Sequence, residues 1–163
     1  MNRVRFDECF TSKRVNALCE AEGKVAVDIF PRRLRSKAVK DLEVVERFLA
    51  SQSTLVTTDH RLPLKQAQHI PDHHPGIIVV RNNGPHTQRE RDIVEVLALF
   101  KACVPQWEQL TWLNSIVELY QDRAEVYSIK AGKPTRPVVA QFGDSDFLTL
   151  LSDALTANLQ RGS

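Results

Sequence analysis

DLEVVERFLASQSTLVTTD, residues 41–59, places two periodicities back to back. After Asp41 the apolar residues Leu42, Val45, Phe48 and Leu49 recur at three- and four-residue intervals, which predicts a helix with those four side chains on its buried face. Asp41 sits where that helix starts, and aspartate is a standard N-cap. Thr54–Thr58 is β-branched and apolar, which predicts a buried strand. Asp59 follows that strand at once. Helix leading directly into buried strand is the repeating element of an α/β protein.

The alternation extends to both sides. Arg3–Phe6 reads as a short strand, Thr11 or Ser12 as the cap of a helix carrying Val15, Leu18 and Cys19, and Gly23 as its stop. Val25–Ile29 reads as a second strand. Beyond Asp59, Leu62–His69 is a short helix or turn broken by Pro71, and Gly76–Val80 is the clearest buried strand of the chain. Asn82–Pro85 is a loop, and Thr87–Glu90 is a capping-box pattern opening a helix with Ile93, Val94, Leu97 and Phe100 inward. Residues 1–104 therefore predict an α/β core whose mainly parallel sheet is covered on both faces. After Pro105 the pattern changes. Trp107–Leu113 reads as one or two helical turns, Ser115–Tyr120 and Glu125–Ile129 as an antiparallel hairpin on the sheet edge, and Lys130–Pro137 as a loop. Val138–Phe142 reads as another strand and Asp146–Leu159 as a terminal helix. Residues 105–163 thus form a C-terminal extension, hairpin plus helix, packed on the same domain.

A chain of 163 residues, 42% hydrophobic and 26% charged, is sized and composed for one globular domain. No apolar run approaches the roughly 20 residues of a membrane helix, and the N-terminus lacks a signal-type apolar stretch, so the expected location is cytoplasmic, with no membrane partner. Cys9, Cys19 and Cys103 lack metal-site spacing and fit reduced, buried thiols. The net charge of +2 is small, but residues 1–40 hold ten Lys/Arg against five Asp/Glu. Arg32, Arg33, Arg35, Lys37 and Lys40 follow one another without an acid. That stripe suits a phosphate backbone, and equally a solvated loop.

Three apolar runs lead to aspartates: Val4–Phe6 into Asp7 and Glu8, Ala38–Lys40 into Asp41, and Leu55–Thr58 into Asp59. Ligands of open parallel sheets bind beyond the carboxyl ends of the strands, where Asp7 and Asp59 fall. A buried carboxylate needs solvent, a partner or a cation, and clustered carboxylates suit a hard divalent ion. The structural alternatives are an N-cap for Asp41, a hydrogen-bonded turn Asp59-His60-Arg61, and an arginine partner for Asp7. His69, His73 and His74 flank Pro71 and Asp72; without a further ligand they read as a polar loop rather than a zinc site. Trp107, Trp112, Tyr120 and Tyr127 read as cover for the sheet edge rather than base-stacking platforms.

Phe6-Asp7-Glu8-Cys9-Phe10 before a helix, the helix–strand–Thr-x-Asp stretch over residues 41–59, and Pro75–Arg81 together resemble small PIN-like domains, the branch that includes predicted toxin nucleases. The likeness spans roughly residues 3–104. It implies a three-layer PIN-like fold and Mg²⁺- or Mn²⁺-dependent cleavage of RNA, with an antitoxin protein and a homodimer as expected partners. By position Asp7, Asp41 and Asp59 would be the catalytic metal carboxylates, supported from behind by Glu8 and Thr57. Arg32, Arg33, Arg35, Lys37 and Arg61 would meet substrate. One departure stands out: Arg61 occupies the place where related sequences often carry a second acid, so a catalytically impaired RNA- or protein-binding module is the alternative. A response-regulator-like domain also places aspartates at strand ends, but it wants a lysine after a late strand, and Lys101 falls in a predicted helix.

Overall fold

The computed structural model describes residues 3–6, 26–29, 41–81, 98, 102–104 and 110–161. Nine strands and three α-helices have described bounds. They are β1 (Arg3–Phe6), β2 (Ala26–Ile29), α1 (Asp41–Ser51), β3 (Thr54–Thr57), α2 (Leu62–Lys65) and β4 (Ile77–Val80), followed by β5 (Ile116–Leu119), β6 (Arg123–Tyr127), β7 (Ile129–Lys130), β8 (Lys133–Pro134), β9 (Val138–Gln141) and α3 (Phe147–Arg161). The protein is α/β, and seven strands join one mixed sheet in the order β2-β1-β3-β4-β5-β6-β9. The first five in that order are parallel; β6 and β9 add antiparallel strands at one end. The order 2-1-3-4-5 is one of the two common doubly wound arrangements.

The residues explain the layers. In β3, β4 and β5 every residue is buried, as central parallel strands covered on both faces require. Alternate side chains part to opposite faces. Val56, Ile78, Val80, Val117, Leu119 and Val126 meet Phe147, Leu151, Ala154 and Leu155 of α3. Leu55, Ile77, Val79 and Ile116 meet Val45 and Phe48 of α1 and Leu62 of α2. Helices therefore pack on both faces.

Several expectations shift in detail. Leu42, placed on the buried face of α1, is 36% exposed, because the helix contacts the sheet through Val45 and Phe48 one turn later. Leu110–Leu113 is not helical. Trp112 instead drives its ring into the core at 2% exposure rather than covering an edge, and Tyr127 is likewise buried. The stretch read as a loop from Lys130 holds the short β7–β8 hairpin, turned by Ala131 and Gly132, both at positive φ. The loop at 82–85 and the capping box at 87–90 lie outside the described residues. Among the described residues no helix is long and apolar enough to cross a membrane.

Candidate functional site

The carboxyl ends of the parallel strands form one edge, and the strands that precede Asp7 and Asp59 both end there. β1 lies between β2 and β3, so the chain leaves β1 in one direction and returns on its other side. The crevice between β1 and β3 is the switch point where such sheets bind ligands. Phe6, the residue before Asp7, pairs with Val56, three residues before Asp59. Parallel neighbours lie about 4.8 Å apart, so both strands end side by side.

Asp41 reaches the same edge by another route. α1 joins β3 through only Gln52 and Ser53, so helix and strand run in opposite directions. Eleven helical residues span about 16 Å and a four-residue strand about 13 Å, which returns the start of α1 to the level where β3 ends. β2 is in parallel register with β1 and ends at Ile29. β2 thus ends, and α1 begins, toward the carboxyl edge. Asp7, Glu8, Arg32, Arg33, Arg35, Lys37 and the side chain of Asp41 lie outside the described residues.

Asp59 is fully described. The Thr57 hydroxyl, completely buried, accepts the Asp59 backbone N–H at 3.0 Å. The Asp59 Oδ1 in turn accepts the Arg61 backbone N–H at 3.0 Å, the turn bond foreseen for this segment. The carboxylate is thus oriented through the main chain while staying half-buried. Arg61 is exposed, and among the described residues no ion pair joins its guanidinium to Asp59. His60 is held below its ordinary pKa by burial first, then by Arg81 and Arg61, with Asp59 opposing.

Next to this turn stands a polar cluster that the sequence reading missed. Arg81 follows β4, and its Nη1 lies 3.6 Å from Glu118 Oε1 on β5. Tyr120 is flanked by Arg81 at 5.1 Å and Arg123 at 4.0 Å from its ring centre, and its hydroxyl donates to Glu118 Oε2 at 3.4 Å. Glu118 sits directly opposite Glu125 in the β5–β6 ladder. Burial raises the Glu118 pKa, Arg81 works against that, and Glu125 adds to it. Burial also pushes Tyr120 up to about 12. The only sequence signal was a glutamate inside the apolar run Ile116-Val117-Glu118-Leu119; its partners come from other strands. The described ends of β4 and β5 are followed by Arg81 and Tyr120, so neither supplies the lysine of a response-regulator-like site.

Asp59 offers the hard oxygen donor that Mg²⁺ and Mn²⁺ prefer, and one of its oxygens is free of the turn bond. Among the described residues there is no group of three or more His, Cys, Asp or Glu able to hold a metal ion. In the loop that holds His69, His73 and His74, the first two are exposed while His74 is buried. No family model, no curated protein and no solved structure matches this chain.

Proposed function

We propose that this protein is a PIN-like, divalent-metal-dependent endoribonuclease acting as the toxin of a toxin–antitoxin pair, with Asp7, Asp41 and Asp59 holding Mg²⁺ or Mn²⁺. The observation that carries the reading is topological: Asp7 and Asp59 follow adjacent parallel strands at the switch point, and Asp41 opens the helix α1, which runs back antiparallel to β3 and so begins near the same edge. When bound, the ion would activate water and stabilise charge developing at phosphorus. The chain's own residues do the rest. Thr57 and the Arg61 N–H fix the orientation of Asp59. Arg61, exposed on the same turn, is free to meet a phosphate oxygen, and the basic stretch between β2 and α1 supplies further cations beside the crevice. Glu8 supports Asp7 from the next position in the chain.

The test is RNA cleavage with Mn²⁺ by the wild-type protein, Asp7→Asn and Asp59→Asn. Equal rates in all three remove the nuclease reading. One observation favours a second reading, a PIN-like RNA- or protein-binding module without catalysis: a cation, Arg61, stands two residues from an Asp59 whose Oδ1 is already engaged. Millimolar Mn²⁺ separates the two. Thermal stabilisation by the ion supports the metal site, and its absence supports the module.

A further inference from the structure

β9 is the last strand of the sheet, and among the described residues only β6 pairs with it. Just past β9 the Phe142 N–H donates to the Asp122 carbonyl at 2.9 Å, which fixes the phase of that ladder. Main-chain groups of an antiparallel strand face its neighbour at every second residue. Those of Val138, Ala140 and Phe142 therefore face β6, and those of Val139 and Gln141 face away from it. Among the described residues no hydrogen bond uses either main-chain group of Val139 or the Gln141 N–H, and the Gln141 carbonyl accepts the Asp144 N–H at 3.3 Å. An edge of this kind is a template for another strand. Its side chains do not blunt it: Val138-Val139-Ala140-Gln141 holds neither charge nor proline. Val138 and Val139, on opposite faces, are 42% and 43% exposed, whereas the valines of β3 to β6 are all buried.

A second copy of β9, antiparallel across a two-fold axis, fits this edge. Only outward-facing residues can bond one another, so Val139 must meet either Val139 or Gln141 of the second copy. Charge selects the second register. With Val139 opposite Gln141, Arg136 comes beside Asp144 of the second copy, and the two-fold axis makes that contact twice. Arg136 and Asp144 are exposed, and neither forms an ion pair with a described residue. With Val139 opposite Val139, Asp144 would instead meet Pro134. The charge-matched register also sets Ala140 against Ala140, small enough for close approach, and Val138 against Phe142. α3 lies over β6 and β9, so its two copies would run side by side at about 10 Å, an ordinary distance for packed helices.

We propose that two copies of this chain pair through β9, with Val139 opposite Gln141 and an Arg136–Asp144 ion pair at each end, so that one sheet runs through both. The contact is isologous and closes at two copies. A strand from an unrelated protein could satisfy the same main-chain groups, but only a second copy brings Arg136 and Asp144 to each other reciprocally. β4, β5 and β6 stand between β9 and the β1–β3 crevice, so each copy keeps its own aspartate edge. The inference does not rest on the nuclease reading.

Sedimentation equilibrium of the full chain, from about one to a few hundred micromolar, tests it. The mass is expected to rise with concentration from 18.5 kDa to twice that value and no further. Val139→Pro removes an outward N–H and no bond to β6; it is expected to weaken the dimer at least about tenfold. Arg136→Asp and Asp144→Arg are each expected to weaken it about tenfold, and the double variant to regain the wild-type affinity. Both charge reversals lie on the exposed surface, and their melting temperatures, read at the lowest concentration, report that the fold is kept. A monomer over the whole range, a dimer that Val139→Pro leaves intact, or a double variant no tighter than the single ones overturns the proposal.

Discussion

Asp59 owes its orientation to two main-chain hydrogen bonds, not to a cation partner, which leaves its charge available. In the proposed mechanism Asp59→Asn removes that charge and keeps the shape, and cleavage is expected to fall by at least about 100-fold, measured with Mn²⁺ on a single RNA substrate. His74 makes a prediction about pH. Its folded pKa is depressed from 6.5 to about 4. Between those values the unfolded chain takes up a proton that the folded ring refuses, so stability is lost as pH falls through that window. The full loss is on the order of 3 kcal/mol. Urea unfolding at pH 7 and pH 4 measures it, and His74→Gln is expected to flatten the difference. Glu118 acts in the opposite sense: its raised pKa means that stability declines as pH rises above its ordinary 4.5.

At the scale of elements, α1 stops at Gln52, whose φ of 50° lies in the left-handed region without glycine's freedom. Gln52→Gly is expected to raise stability by about 0.5–1 kcal/mol, read as an increased denaturation midpoint at unchanged slope. The last helix is joined to the sheet by a buried amide as well as by apolar packing. Asn158 donates to Ser115 Oγ at 3.0 Å and to the Tyr127 carbonyl at 3.3 Å. Asn158→Ala strands both acceptors, and a loss of about 1–3 kcal/mol is expected in the same assay. Gly76, at φ +105°, opens β4 where an added Cβ would meet the Trp112 carbonyl backbone. Gly76→Ala is therefore expected to cost about 2–4 kcal/mol. The sequence pointed to Gly76 as the edge of a strand but gave no sign of Trp112 against it, since 36 residues separate the two.

The whole molecule unites both halves of the chain in one sheet. β5 is the fifth parallel strand, bonded along all of β4 from Ile77 to Val80. A fragment of residues 1–104 would expose Ile78 and Val80 and an unpaired edge, so it is expected to show no cooperative thermal transition, whereas the full chain shows one. Much of the sheet was legible beforehand because β3, β4 and β5 announce themselves by apolar, β-branched runs and α1 and α3 by helical spacing. The β7–β8 hairpin and the path of Trp112 were not, because short turns and single anchors lack a period. Of the site, Asp59 and its turn bond to Arg61 could be foreseen, since Asx turns are local. Arg81 with Glu118, Tyr120 with Arg123, and the buried His74 could not, since each depends on strands far apart in sequence becoming neighbours. Composition, periodicity and strand-end residues thus determined by themselves that this is an α/β protein with acids after its strands, because those properties are set within a few residues of chain. Tertiary structure alone decided that β1 and β3 lie side by side, that the start of α1 returns to their carboxyl edge, and that β9 ends the sheet, because strand order is chosen by the burial of whole faces against each other.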